Sequence, residues 1–284
     1  MKLLRLINTS SLIVKFVVAL LVFFLISCEH KHIQPLRIAE NYLDHNNIDS
    51  AQYYLELVLK EDSNHVFALN QLAEIHFNKV QVGKAFEYLK KSVQIDSTDA
   101  LIHLKIAEIN VFLGKYQDVF SNVNKALRIN ERMPSAYFMK GVAYKHIGDT
   151  LKAISSLKTA IEVEHNFFPV YYELGLLLTL KGDSMGIEYY KNGVEIKPDD
   201  MDLLMSLAWS YQQFGRIRES EDCYRKLLIK SPNHELGLFN YAVLKHQLNQ
   251  NDTALILVNK LLKSHPADQK SIQFKQVLQS NFLE

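Results

Sequence analysis

The chain has 284 residues, of which 48% are hydrophobic and 22% are charged, so it is long enough to bury a sizeable core. Its net charge is +1. Without Lys2, Arg5 and Lys15, the three charges of the first 27 residues, the 32 basic residues fall to 29 against 31 acidic ones. This balance argues against a nucleic-acid binder, which normally has a concentrated basic surface. Only two cysteines are present, Cys28 and Cys223, so no disulfide framework is implied.

The first residues have the layout of a signal peptide. The start carries basic residues without any acid, and residues 16–26 (FVVALLVFFLI) are eleven apolar residues that end at Ser27-Cys28. This run is shorter than a membrane-spanning helix, which needs roughly 17 to 25 residues. A longer apolar segment from Leu12, which includes Lys15, keeps an uncleaved anchor open as an alternative.

The end of the apolar run resembles the lipobox of bacterial lipoproteins, through Leu25, Ile26, Ser27 and Cys28. The resemblance implies that residues 1–27 are removed and that the Cys28 thiol is acylated. Residues 28–33 would then form a lipidated tether, because several acyl chains hold a protein firmly on a bilayer. We therefore expect a chain anchored to a bacterial membrane, at the outer membrane or a periplasmic face. An ordinary cleaved signal peptide remains the alternative.

Two series of residues, nearly all small, repeat along the rest of the chain at a step of 34. Each has one step of 33, from Gly175 to Ala208 in the first and from Ala153 to Gly186 in the second. Turn residues lie between the series, so each unit predicts two amphipathic helices joined by a short turn. Small residues let paired helices approach closely. The shorter fifth unit points to a deletion in the turn between Lys181 and Gly186. The first series is Ala39, Ala73, Ala107, Gly141, Gly175, Ala208 and Ala242, and the second is Ala51, Ala85, Val119, Ala153, Gly186, Ser220 and Ala254.

This pattern resembles the tetratricopeptide repeat, whose signature is W-x2-L-G-x2-Y, then A-x3-F, then P. The fourth unit carries it most clearly, in Tyr137, Gly141, Tyr144, Ala153, Leu157 and Ala160. The resemblance implies an all-α fold, a right-handed α-solenoid of about seven helix-turn-helix units over residues 34–268. Residues 269–284 have apolar residues at helical spacing and predict a capping helix, with a loose tail as the alternative.

In this family the first helix of each unit lines a concave groove that binds peptides. One row of groove positions is acidic in the first three units, at Glu40, Glu74 and Glu108. The corresponding surface of the later units is apolar and aromatic and predicts an interaction site, unless helix packing or the capping helix buries it. The acidic row disfavours the family's carboxylate clamp and favours a basic or apolar ligand. The residues of the apolar surface are Phe138, Val142, Tyr172, Leu176, Met205, Trp209 and Phe239.

No pattern for catalysis, metal binding or a cofactor stands out. The eleven histidines are scattered, and no H-E-x-x-H, C-x-x-C, Gly-rich phosphate loop or G-x-S-x-G is present. Cys223 is interpreted as a packed thiol. We therefore expect no enzyme activity, no metal and no cofactor.

The sequence thus predicts a membrane-anchored scaffold or adaptor lipoprotein. It would bind protein or peptide partners in its groove for envelope assembly, secretion or a related process. One alternative is a substrate-delivery subunit of a separate envelope protease or cell-wall hydrolase. Another is a homodimer in which the apolar groove packs on itself.

Overall fold

The computed structural model describes residues 35–280. The predicted signal peptide (1–27), the acylated Cys28 and the tether (28–33) lie outside these residues, and so do residues 281–284. The described part consists of fifteen α-helices, which are seven consecutive pairs and an unpaired last helix, and it contains no strand. The predicted fold class is confirmed: the chain is all-α and built from helix hairpins.

The helices fall into two compact units, whose described parts are residues 35–131 and 132–280. Unit 1 contains α1 (residues 35–44), α2 (Ile48–Glu61), α3 (Val66–Asn78), α4 (Val82–Ile95), α5 (Ala100–Phe112) and α6 (Tyr116–Ile129). Unit 2 contains α7 (Pro134–His146), α8 (Thr150–Val163), α9 (Pro169–Leu180), α10 (Met185–Ile196), α11 (Met201–Gln213), α12 (Ile217–Lys230), α13 (Glu235–Gln247), α14 (Asn251–Ser264) and α15 (Gln269–Ser280). None of the helices in residues 35–280 is both long and apolar enough to cross a membrane.

The repeated small residues lie where the paired helices cross. All fourteen are buried. A Cβ added at Gly175 would come within 2.7 Å of the Tyr190 ring, and one added at Gly186 would lie 2.5 Å from Thr179 Oγ1. Both distances are shorter than van der Waals contact, so a larger residue at either place would force the two helices of the fifth hairpin or the Tyr190 ring to move.

The first helices of the hairpins begin at side-chain caps in the polar loops. Asp99 and Asp200 accept hydrogen bonds from backbone N–H groups of the first helical turn, at 2.8 and 3.0 Å. His65 and His234 do the same through Nδ1, at 3.3 and 3.0 Å. These caps satisfy backbone donors that have no partner inside the helix. The two loop histidines therefore have a structural role.

The fifth hairpin accommodates its missing residue at the start of its second helix. The other second helices begin three residues before the small residue of the second series, but α10 begins at Met185, one residue before Gly186. The turn Lys181–Ser184 keeps the left-handed Gly182 seen in equivalent turns (φ 75°). The deletion therefore shortens the first turn of α10 and leaves the preceding turn intact.

Val80 occupies a turn position that favours glycine. Its φ is +59°, whereas the equivalent turns have Gly148 or Gly182 in the left-handed region. A β-branched side chain is strained there, so we expect Val80→Gly to raise the free energy of unfolding by about 1 kcal/mol. Thermal unfolding followed by circular dichroism measures the effect. Ile147→Gly is the matched control: Ile147 is an exposed turn residue with φ −88°, and its replacement should destabilise the chain. Equal shifts for both variants would contradict the strain at Val80.

Candidate functional site

Four of the predicted apolar groove residues line one cleft in unit 2. Tyr172 and Leu176 come from α9, and Met205 and Trp209 come from α11. The rest of the lining is Leu180, Tyr190, Ser206 and Asn240, and the cleft encloses about 560 Å³ of empty space. We call this site the α9–α13 cleft, because its side chains come from helices α9, α10, α11 and α13.

Buried contacts beneath the α9–α13 cleft hold its wall in place. The Tyr172 ring packs edge-to-face on the Tyr190 ring, with centroids 6.2 Å apart, and Tyr190 is fully buried. The hydroxyls of Thr179 and Ser210 lie 2.9 Å apart and join α9 to α11 in the interior. An aromatic surface supported in this way is ordered before a ligand arrives, which lowers the entropy cost of binding.

The α9–α13 cleft is uncharged and amphipathic. None of its eight described lining side chains carries a charge. Leu180 is 66% exposed, and Tyr172, Leu176, Met205 and Trp209 are partly exposed. The Asn240 amide forms no hydrogen bond with any part of the chain that the structure describes, so its two donors and its acceptor can bind a peptide backbone. The cleft therefore suits an apolar segment whose backbone needs polar partners.

The other predicted apolar groove residues lie outside this cleft. The Phe138 ring packs edge-to-face against Phe167, with centroids 5.8 Å apart, and Val142 on α7 is partly buried. Phe239 lies 5.7 Å from the Phe274 ring of α15, so the last helix covers part of it. Leu278 of α15 is fully buried in the core beside α14. Phe138 and Phe239 thus pack against neighbouring rings and do not line the α9–α13 cleft.

The predicted acidic row belongs to unit 1, and all three carboxylates are exposed. Glu74 and Glu108 share a cleft with Lys105, whereas Glu40 lies in a separate depression beside Arg37 and Asp44. Two side chains that could have supported a carboxylate clamp are already bonded: Asn70 accepts from Ser92 at 2.7 Å, and Lys145 pairs with Glu173 at 2.8 Å.

Within residues 35–280, no group of three or more His, Cys, Asp or Glu side chains is arranged to hold a metal ion. Cys223 is buried on α12 among apolar residues, and desolvation raises the pKa of its thiol to about 11. Because the thiolate is the reactive form, this environment makes Cys223 a poor nucleophile at neutral pH.

Cys223 is expected to react slowly with iodoacetamide in the folded chain. With its pKa at about 11, only about one thiol in a thousand is ionised at pH 8, against about a quarter for an ordinary cysteine. Alkylation should therefore be at least about 100-fold slower than in guanidinium, and should rise about tenfold per pH unit below the pKa. Mass spectrometry of the peptide that contains Cys223 measures the rate. Equal rates in the folded and unfolded chain would contradict the burial of this thiol.

Residues 134–166 match the family model of the tetratricopeptide repeat. This hairpin is a tetratricopeptide repeat. It is the unit that carries the family signature most clearly in the sequence, and the neighbouring hairpins share its spacing of buried small residues.

Three known proteins are similar to this chain in sequence or in structure. The BBSome complex member BBS4 of Bos taurus is 30% identical over 131 residues, which are 46% of this chain and 25% of that protein. A tetratricopeptide repeat protein from Parabacteroides merdae has a similar structure, with a TM-score of 0.63, 15% identity and coverage of 88% of this chain and 98% of that one. PilW, a type IV pilus biogenesis factor, has a TM-score of 0.66, 20% identity and coverage of 72% and 96%.

The two structural matches show that the fold of this chain is that of tetratricopeptide repeat proteins. The chain spans only 25% to 35% of the length of the first curated relatives that it matches.

The sequence pattern did not predict four of the eight residues that line the α9–α13 cleft, Leu180, Tyr190, Ser206 and Asn240. Leu180 lies four residues after Leu176, one helical turn further along α9, and Asn240 directly follows Phe239. Extending the predicted groove by that turn and by that one position would have included both residues. Tyr190, on α10, is the support beneath Tyr172.

Proposed function

We propose that this chain is a non-enzymatic adaptor that binds an apolar segment of a partner protein in the α9–α13 cleft. The observation that carries the proposal is the convergence of Tyr172, Leu176, Met205 and Trp209 on one open, uncharged cleft. Aromatic side chains on a supported surface are the residues that dominate binding energy at protein interfaces. A match to a member of a multiprotein complex accords with this role.

The proposal includes a lipid anchor at Cys28, which rests on the signal-peptide pattern and on the lipobox resemblance of residues 25–28. The anchor would hold the repeats at the surface of a bacterial membrane, where the partner would be an envelope protein. A Cys28→Ser chain tests the anchor directly. It should lose metabolic labelling by a radioactive fatty acid and leave the membrane fraction, whereas an unchanged lipid label would contradict acylation of Cys28.

Mild cross-linking in intact cells tests the adaptor role. The native chain should be recovered in a covalent complex with one or a few specific envelope proteins, and the purified chain should have no activity of its own. If the captured partner is a protease or a cell-wall hydrolase whose activity falls when this chain is deleted, the adaptor delivers substrates. Recovery of the chain as a lone monomer would contradict the proposal, and recovery of a dimer would place a second copy in the cleft.

A further inference from the structure

A second cleft, in unit 1, has a different chemistry. It is formed by three consecutive helices and encloses about 470 Å³ of empty space. Its polar side chains are Glu74, Asn78, Lys105 and Glu108, and its apolar wall consists of Ala73, Phe77, Leu89 and Ile109. We call it the α3–α5 cleft.

Aromatic surface extends from the α3–α5 cleft towards solvent. The Phe77 ring packs edge-to-face against the Phe112 ring, with centroids 5.8 Å apart and an angle of 81°. Phe112 is 59% exposed, although it is a large apolar side chain. The pair therefore provides ring faces and edges beside the carboxylates, a combination that attracts cations which also carry apolar surface.

The charges of the α3–α5 cleft are not balanced. The Lys105 ammonium donates a hydrogen bond to the Glu74 carboxylate. The Glu108 carboxylate forms no ion pair and no hydrogen bond with any residue between 35 and 280. The cleft is thus lined by two carboxylates and one ammonium, so it has an excess of one negative charge.

The surroundings of Glu108 also disfavour its negative charge. Desolvation by the nearby protein raises the pKa of Glu108, Lys105 lowers it, and Glu74 raises it further. A second cation in the cleft would replace the lost hydration and stabilise the ionised carboxylate.

We propose that the α3–α5 cleft binds an arginine side chain of an extended partner segment. The planar guanidinium can donate two parallel hydrogen bonds to Glu108 and can lie against the rings of Phe77 and Phe112. Its methylene stem can pack along the apolar wall. The free Asn78 amide can bind the backbone of the same segment. This site goes beyond the proposed function, since it is in another unit and selects a charged ligand.

The test compares two short fluorescein-labelled peptides, identical except that one has an arginine and the other has citrulline, its neutral isostere. Fluorescence anisotropy measures their binding to the full-length chain in a mild detergent. We expect the arginine peptide to bind about tenfold more tightly, and we expect this preference to fall as salt is added. Equal binding of the two peptides, including no binding of either, would overturn the proposal.

Variants then locate the site. Glu108→Gln and Glu74→Gln should abolish the preference for arginine, whereas Glu87→Gln, at an exposed glutamate of α4 outside the cleft, should retain it. Glu108→Gln removes a carboxylate that forms no ion pair or hydrogen bond within residues 35–280, so its circular dichroism and unfolding temperature should match those of the native chain. A preference that survives Glu108→Gln would overturn the assignment. The Tyr172→Ala, Trp209→Ala chain should keep the preference, which separates this site from the α9–α13 cleft.

Discussion

The chain that carries both Tyr172→Ala and Trp209→Ala is expected to bind its partner about 100-fold more weakly than the native chain, a loss of about 3 kcal/mol. Both rings line the α9–α13 cleft, and Trp209 is the single tryptophan of the sequence. Truncation removes the largest apolar surfaces of the cleft but leaves the supporting Tyr190 in place. Titration of the purified partner, identified by cross-linking, measures the change in Kd.

The matched control for this prediction replaces apolar residues that are exposed elsewhere in unit 2. Ile229 on α12 and Ile256 on α14 lie on second helices and do not line the cleft. The Ile229→Ala, Ile256→Ala chain should bind like the native chain. Circular dichroism must show that both double variants keep their helical content. Equal Kd values for the two folded double variants would contradict a role for the aromatic cleft.

Gly186→Ala is expected to destabilise the chain by about 1 to 3 kcal/mol, through overpacking at the crossing of α9 and α10. The added Cβ would lie 2.5 Å from Thr179 Oγ1 and 2.8 Å from the Gly175 carbonyl oxygen. Since one of these atoms belongs to the backbone, the helices must move apart. Thermal unfolding followed by circular dichroism measures the loss of stability.

Gly83→Ala, the same substitution at an uncrowded position, is expected to stabilise the chain. Gly83 lies in the first turn of α4, and a Cβ there would meet no atom within 4 Å. Alanine restricts the unfolded chain more than glycine, so this variant should gain up to about 1 kcal/mol. A comparable loss of stability in both variants would show that the close approach at Gly186 does not decide the outcome.

The sequence was sufficient to predict the hairpins, because each repeat buries the same positions. The step from Ala73 to Ala107 and Gly141 identified the crossing points without knowledge of any contact. The spacing placed the deletion between Lys181 and Gly186, but it could not show that the residue is lost from the first turn of α10. Nor could it show the left-handed turn at Val80, where a β-branched residue stands at a position that favours glycine.

The site was predicted less completely than the fold. Spacing placed Tyr172, Leu176, Met205 and Trp209 on equivalent faces, and the structure brings these four into one cleft. The same spacing grouped Phe239 with them, although Phe274 of α15 packs against its ring. Periodicity identifies the face of a helix on which a residue lies. It does not show which side chains of other helices cover that face. The sequence analysis did not predict the ion pair of Lys105 with Glu74, because the two residues lie on different helices and spacing along one helix does not relate them.

The central claim is that a partner segment occupies the α9–α13 cleft. A photoreactive amino acid placed at Leu180, which is 66% exposed at the edge of the cleft, tests it in living cells. The control places the same group at Ile229, which is 79% exposed on α12 and outside the cleft. We predict a specific covalent adduct from position 180 that is absent from position 229 and is lost when Trp209 is replaced by alanine. No adduct at position 180, or the same adduct from both positions, would contradict the claim.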